Sequence, residues 1–228
     1  MKIIDKLKHK VIVSVQAMPN EPLYQEQCMI AMMKSVIKGG AAGLRVAGAR
    51  DVANAKKLFD VPIIGLTKPE VIPDNWQEIV YITPTITEVI DLYNAGADII
   101  AFDGTMRKRP NGANLEDIIK YIKIHKRISM ADISTLEEGL NAQNLGADIL
   151  STTLSGYTQF SKDKGNEPDF ELLKQLVDNT DLPVVLEGRI WEPEQVDRAF
   201  EIGAHCVVIG SAITRPQLIT KRFIQRGV

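Results

Sequence analysis

The stretch GADIIAFD, residues 96–103, decides the fold, because its opening recurs along the chain. Gly146-Ala147 starts GADILSTT, residues 146–153, and Gly203-Ala204 and Gly40-Ala41 stand in the same relation to HCVVIGSA (205–212) and AAGLRV (41–46). Each Gly-Ala pair closes a helix-like stretch and opens an apolar run. Glycine accepts the left-handed backbone position just past a helix C-terminus. A short run that is apolar on both faces fits a parallel strand covered by helices. A second junction repeats at Asp60-Val61-Pro62 and Asp181-Leu182-Pro183, where a proline begins a strand without needing its missing N–H.

Working outward from these junctions, the chain holds eight such runs. The other four are VIVSVQ (11–16), PIIGLTK (62–68), RISMAD (127–132) and PVVLEGR (183–189). Amphipathic stretches of helical length lie between them, at residues 22–38, 49–59, 85–95, 114–125, 134–145, 168–179, 192–202 and 214–226. Ser134 with Glu137, and Thr85 with Glu88, match the capping-box pattern. Pro193 suits a first helical turn. Alternating strands and helices imply a parallel sheet with right-handed crossovers. Eight such units predict an α/β fold, a closed (β/α)8 TIM barrel in a single domain spanning residues 1–228. Residues 69–84 read as a long insertion after the third strand that absorbs Tyr81-Ile82-Thr83.

Composition agrees with a globular enzyme-sized domain. The chain has 228 residues, 45% hydrophobic and 25% charged, with a net charge of −2. That balance predicts neither a nucleic-acid nor a membrane partner. No run has the length of a membrane span, and MKIIDKLKHK at the start lacks the unbroken apolar stretch of a signal peptide. Cys28 in an expected helix and Cys206 in an expected buried strand predict a reducing, cytoplasmic setting.

If the barrel closes, the C-terminal ends of its strands share one face, where barrel enzymes place their active sites. Gln16, Arg45, Lys68, Asp103, Asp132, Thr153, Glu187 and Gly210-Ser211 all fall at such ends. Lys68 is the sharpest candidate, since a partly desolvated lysine has a lowered pKa and serves as a general base or forms a Schiff base. The competing reading is a surface lysine at a strand exit. Glu187 and Asp132 are carboxylates that could shuttle a proton, orient the lysine, or simply form ion pairs. Asp132 could also shape the turn into the next helix, as Asp103 could before Gly104. Arg45 needs an anion or a carboxylate partner if buried.

Gly188-Arg189 after the seventh strand and residues 210–215 after the eighth read as an anion site. Glycines expose backbone N–H groups, a helix N-terminus favours negative charge, and Arg189 and Arg215 add forked donors. Barrels commonly hold phosphate between these two loops. Asp103, Asp132 and Glu187 could together hold a metal, but His9, His125 and His205 have no ligand-like spacing, so a site built only from carboxylates is the weaker reading; no metal and no cofactor are expected.

SVQAMPNEPL, GLRV, PIIGLTK, YITPT, DGTMRKRP, MADISTLEEG, STTLSGYT, EGR and AITRPQLITKRF occur in this order across nearly the whole chain. This set resembles the N-acylglucosamine-6-phosphate 2-epimerases, also called N-acetylmannosamine-6-phosphate 2-epimerases. The resemblance implies a (β/α)8 barrel of sialic acid and amino-sugar catabolism that inverts C2 of an N-acylhexosamine 6-phosphate. It implies Lys68, Glu187 and Asp132 as catalytic residues. It implies Gln16 and Arg45 as substrate-binding, and Gly188, Arg189, Gly210, Ser211 and Arg215 as phosphate-binding. It also implies a homodimer. Val15, where the family often has cysteine, and Ser211, where it often has glycine, are small departures; GLTKPE replaces a common GIIKR.

Overall fold

A computed structural model of the chain describes residues 2–161 and 164–226. Eight parallel strands pair in sequence order, and the last pairs with the first to close a barrel. The strands are β1 (Lys10–Val15), β2 (Leu44–Ala47), β3 (Ile63–Leu66), β4 (Ile99–Asp103), β5 (Ile128–Asp132), β6 (Ile149–Ser151), β7 (Val184–Glu187) and β8 (Cys206–Ile209). The expected (β/α)8 barrel is therefore the fold.

An unforeseen short helix, α1 (Ile3–Leu7), precedes β1. Then come α2 (Glu26–Lys38), α3 (Ala49–Leu58), α4 (Ile86–Asn94), α5 (Leu115–Ile124), α6 (Leu136–Asn144), α7 (Phe170–Asn179) and α8 (Pro193–Ile202), one after each of the first seven strands. The expected last helix is two helices, α9 (Ser211–Thr214) and α10 (Pro216–Arg226). The break has a local cause. A residue before proline is pushed out of the helical region, and Arg215 before Pro216 has φ −120° and ψ 80°.

The Gly-Ala junctions behave as their chemistry requires. Gly40, Gly96, Gly146 and Gly203 all have φ between 91° and 114°, which an L side chain avoids. One helix start differs from expectation by a residue. The capping box of α4 is Thr85 with Glu88 as read, but that of α6 is Thr135 with Glu138 rather than Ser134 with Glu137. Ser134 is diverted, since its N–H and hydroxyl both donate to Glu138 Oε2 at 2.8 Å.

Strand alternation divides the core in two. Val13, Leu44, Val46, Ile63, Ile100, Phe102, Leu150, Leu186 and Val207 face the helices. Ile12, Ile64, Leu66, Ile99, Ala101, Met130, Ile149, Val185, Cys206 and Val208 fill the barrel interior. Leu7 of α1 joins the interior set, with Ile3 and Ile4 packed against it. His205 Nε2 donates to Ile4 O at 2.9 Å, tying α1 across the N-terminal end of the barrel.

Candidate active site

The interior parity carries directly to the residues that do chemistry. Lys68 lies two beyond Leu66, Asp103 two beyond Ala101, Asp132 two beyond Met130, and Glu187 two beyond Val185. Thr153 lies four beyond Ile149, Gln16 four beyond Ile12, and Arg45 points the same way from β2. The pleat turns Arg45, Asp103, Asp132 and Glu187 toward the barrel axis, and the segments that leave β1, β3 and β6 carry Gln16, Lys68 and Thr153 to the cavity there.

They do not all reach the same space. A cavity of about 420 Å³ opens at the C-terminal end, lined by Ser14, Gln16, Lys68, Thr153, Glu187, Gly188, Arg189, Gly210, Ser211 and Arg215 among others. Its volume falls in the range of small-molecule sites. Arg45 and Asp132 are not among its lining residues. They lie beneath it, with side chains 1% and 0% exposed. Arg45 donates to Asp132 Oδ2 at 2.6 Å and to Oδ1 at 3.2 Å, a forked pair. Its Nε is 3.2 Å from Glu187 Oε1, close enough for an ion pair but out of line for a hydrogen bond. Of the two expectations for Arg45, the internal pair with a strand-end acid is the one formed here. Asp132, expected as catalytic, is likewise committed to Arg45 and to Thr153, at 2.9 Å.

Asp103 is withdrawn from the cavity altogether. It is fully buried and ion-paired with Arg107. Thr105 donates to Asp103 Oδ1 at 2.6 Å, and Arg107 also donates to the carbonyls of Trp76 and Gln77. This cluster pins the segment at residues 69–84. Asp103 N donates to Ile82 O at 3.1 Å, and Thr83 N to Thr67 O at 3.2 Å. The segment thereby brings Tyr81 and Ile82 to the cavity wall. No regular strand forms over Tyr81-Ile82-Thr83, and the segment has a single bridge, between Ile79 and Lys108.

Burial shapes two ionisable groups of the cavity wall, Lys68 and Glu187. It lowers the Lys68 ammonium, reinforced by the charges of Arg45 and Arg215 against Glu187 and Asp132, to about 8. It raises the Glu187 carboxyl, with Asp132 reinforcing and Arg45 opposing, to about 7. A base and an acid that both titrate near neutrality in one pocket suit proton transfer. Cys206, below them, is pushed up to about 12 by burial and by Glu187, so it stays a thiol.

One end of the cavity suits an anion. Gly188, Gly210, Ser211 and Arg215 line it. The amides of Ser211 and Ala212 sit in the first turn of α9, where no carbonyl of that helix can reach them. Arg215 is held from the rim by Glu21 at 3.2 Å, and Thr214 Oγ1 donates to Ser14 O at 2.8 Å, fixing the turn against β1. Arg189 differs from expectation. Its guanidinium donates to Glu167 O at 2.7 Å and to Ser155 O. It therefore straps the β6–α7 loop to the β7–α8 loop while still lining the cavity. Gln16 Nε2 donates to Ser14 Oγ at 2.8 Å, and its buried Oε1 has no partner among the described residues. An acceptor left unmatched in a pocket is ready for a ligand N–H or O–H.

Sequence reasoning missed Ser14, Tyr81, Tyr157 and Trp191 as wall residues. Ser14 was available from the alternation, two residues before Gln16. The other three lie outside the strands, where no periodicity points. Among the described residues, no group of three or more His, Cys, Asp or Glu could hold a metal ion.

The site can be set beside known proteins. A family model described as "Putative N-acetylmannosamine-6-phosphate epimerase" matches residues 29–227. A Clostridium perfringens protein (strain ATCC 13124), described as "Putative N-acetylmannosamine-6-phosphate 2-epimerase", is 47% identical over 222 residues, covering 97% of this chain and 98% of its own length. A Clostridioides difficile protein (strain 630) of the same description is 44% identical over 224 residues, covering 98% of each. The solved N-acetylmannosamine-6-phosphate 2-epimerase from Clostridium perfringens superimposes with a TM-score of 0.93 at 46% identity, over 99% of this chain and 96% of that one. A thiamine phosphate pyrophosphorylase from Pyrococcus furiosus, at 17% identity and TM-score 0.62, shares the fold alone. With the family model spanning most of its length and relatives near half identity covering almost all of it, the chain belongs to the N-acetylmannosamine-6-phosphate epimerase family.

Proposed function

We propose that this chain interconverts N-acetylmannosamine 6-phosphate and N-acetylglucosamine 6-phosphate by removing and returning the proton at C2, within amino-sugar and sialic acid catabolism in the cytoplasm. The observation that carries the chemistry is the lowered lysine and the raised carboxylic acid in one cavity, beside an anion-binding end. Family membership supports the substrate. The two free thiols, Cys28 and Cys206, agree with a reducing compartment, and among the described residues no helix is long and apolar enough to cross a membrane.

In the open-chain sugar, C2 lies beside the C1 aldehyde, so the electrons left by deprotonation are delocalised onto the C1 oxygen as an enolate. The neutral amine of Lys68 takes the C2 proton. Glu187, protonated, returns one to the opposite face, leaving Lys68 charged and Glu187 ionised until protons re-equilibrate with solvent. Asp132 and Arg45 form the polar floor that holds Glu187. Gly188, Gly210, Ser211 and Arg215 hold the phosphate, with Arg189 closing the loops around it. Gln16 offers its Oε1 to the sugar. We further read residues 1–228 as one domain, because the first and last strands pair directly.

Incubation with either sugar phosphate in D2O tests the reading. Deuterium should appear at C2 by NMR, and Lys68→Ala should abolish exchange while still binding inorganic phosphate. Exchange that survives Lys68→Ala would overturn the assignment of the base. A lowered lysine also suits a Schiff-base aldolase. Borohydride reduction with substrate separates the two, because only an aldolase leaves a stable adduct on Lys68.

We also propose a homodimer. Phe223 and Ile224 of α10 are 75% and 63% exposed, more apolar surface than an isolated helix end gains from showing to water. Phe223→Asp with Ile224→Asp should yield a monomer by sedimentation. A wild-type protein that sediments as a monomer at micromolar concentration contradicts the proposal.

A further inference from the structure

The hydroxyl of Thr153 has three polar neighbours and a single proton. Its Oγ1 lies 2.9 Å from Asp132 Oδ1, 3.0 Å from Glu187 Oε2 and 2.7 Å from Ser151 Oγ. A hydroxyl donates one bond and accepts two. With both carboxylates ionised, Thr153 satisfies one of them, and the other faces its lone pairs in a buried site. A proton on Glu187 removes the conflict. Glu187 then donates to Thr153, Thr153 donates to Asp132, and Ser151 donates to Thr153. The proton belongs on Glu187 rather than Asp132 because Arg45 gives Asp132 two hydrogen bonds, while its Nε faces Glu187 out of line.

We propose that Thr153 is a positioning residue that keeps a proton on Glu187, by accepting from Glu187 and donating to Asp132. The proposal rests on the reading of Glu187 as the acid of the site. Thr153 reaches Glu187 from a 3-10 turn over Thr152–Leu154 that directly follows β6. The other groups facing the trio pull in both directions. Arg45 from β2, Lys68 beyond β3 and a Thr153 hydroxyl that donates to Glu187 favour its ionised form; burial and the Asp132 charge from β5 favour the neutral form. Cys206 from β8 stays neutral. Asp103 of β4 is spent on Arg107, and Arg215 acts on Lys68. With its one proton given to Asp132, Thr153 accepts from Glu187 instead, and in that arrangement it adds weight to the neutral side. When Glu187 is protonated, the chain holds one more hydrogen bond than when it is ionised, since the single Thr153 proton then serves only one carboxylate.

The test titrates Glu187 directly, by carboxyl 13C NMR on glutamate-labelled protein assigned with Glu187→Gln, alongside the pH dependence of epimerisation. In Thr153→Val the Glu187 midpoint should fall by about 0.5–1 pH unit, the loss of one neutral hydrogen bond. The fraction of enzyme with Glu187 protonated and Lys68 neutral, and with it kcat, should drop about 3- to 10-fold while KM stays close to wild type. Thr153→Ser should restore both. A midpoint that is unmoved or raised in Thr153→Val overturns the proposal. Should Thr153→Val fold poorly, Thr153→Ala gives the same readout. In the unmodified protein, a Glu187 midpoint below about 5, an ordinary carboxylate value, overturns it without any variant. Full activity in Glu187→Gln would instead sink the reading of Glu187 as the acid; loss there with an unmoved midpoint in Thr153→Val sinks the role of Thr153 alone.

Discussion

Lys68 and Glu187 together hold one proton over a narrow range of pH. With Lys68 at about 8 and Glu187 at about 7, both are protonated below the range and the base is lost. Above it both are deprotonated and the acid is lost. Between the two values the pair carries a single proton, and about a tenth of that form has it on Glu187 with Lys68 neutral, the arrangement the reaction needs. The expected profile of kcat/KM is a bell with its maximum between about pH 7 and 8. A rate that climbs steadily past pH 9 would show that no acid of this kind takes part. This pairing was half visible beforehand. Lysine and glutamate at strand ends are legible as candidates, but a charge shift is a property of burial and neighbours, which no local pattern encodes. Thr153 was legible only as a strand-end hydroxyl, because its three partners come from β5, β6 and β7.

The loops, rather than the strands, determine how the cavity is closed. Arg189 donates to carbonyls of Ser155 and Glu167 and lies 5.8 Å from the Tyr157 ring centroid, so one side chain holds the β6–α7 loop in place. Gly156 makes room for it. Gly156 has φ 84°, and a Cβ there would lie 2.5 Å from an Arg189 nitrogen. Gly156→Ala should therefore lose about 1–3 kcal/mol of stability in urea titrations, from backbone strain and displaced Arg189, and should raise KM for the sugar phosphate. An unchanged KM would mean that this loop does not shape the occupied site. Strand positions were readable because alternation and the glycine junctions are local rules. The segment at residues 69–84 was readable only as an insertion. Its path is set by Arg107 and by backbone bonds to β4, contacts between residues far apart in sequence.

At the scale of the whole molecule, the barrel has a floor as well as a mouth. Leu7 is 2% exposed and packs with Ile12, Cys206 and the rest of the interior. Leu7→Ala should destabilise the fold by about 2–4 kcal/mol, measured by chemical denaturation, because the cavity it leaves is walled by strands that cannot collapse. A loss below about 0.5 kcal/mol, typical of a surface site, would show that α1 is dispensable as a plug. That helix went unread because five residues mixing Lys, Asp and Ile carry too short a period to register. The sequence by itself determined the order of strands and helices, the barrel, and which side chains point inward. Each of these follows from rules acting over a few residues: strand alternation, glycine after helices, and proline at starts and breaks. Only the tertiary structure decided that Arg45 and Asp132 lie beneath the cavity, that Asp103 leaves it, and that Glu187 and Lys68 are shifted toward neutrality. Those outcomes depend on desolvation and on charges brought together by closing the barrel, across chain separations that no local pattern spans.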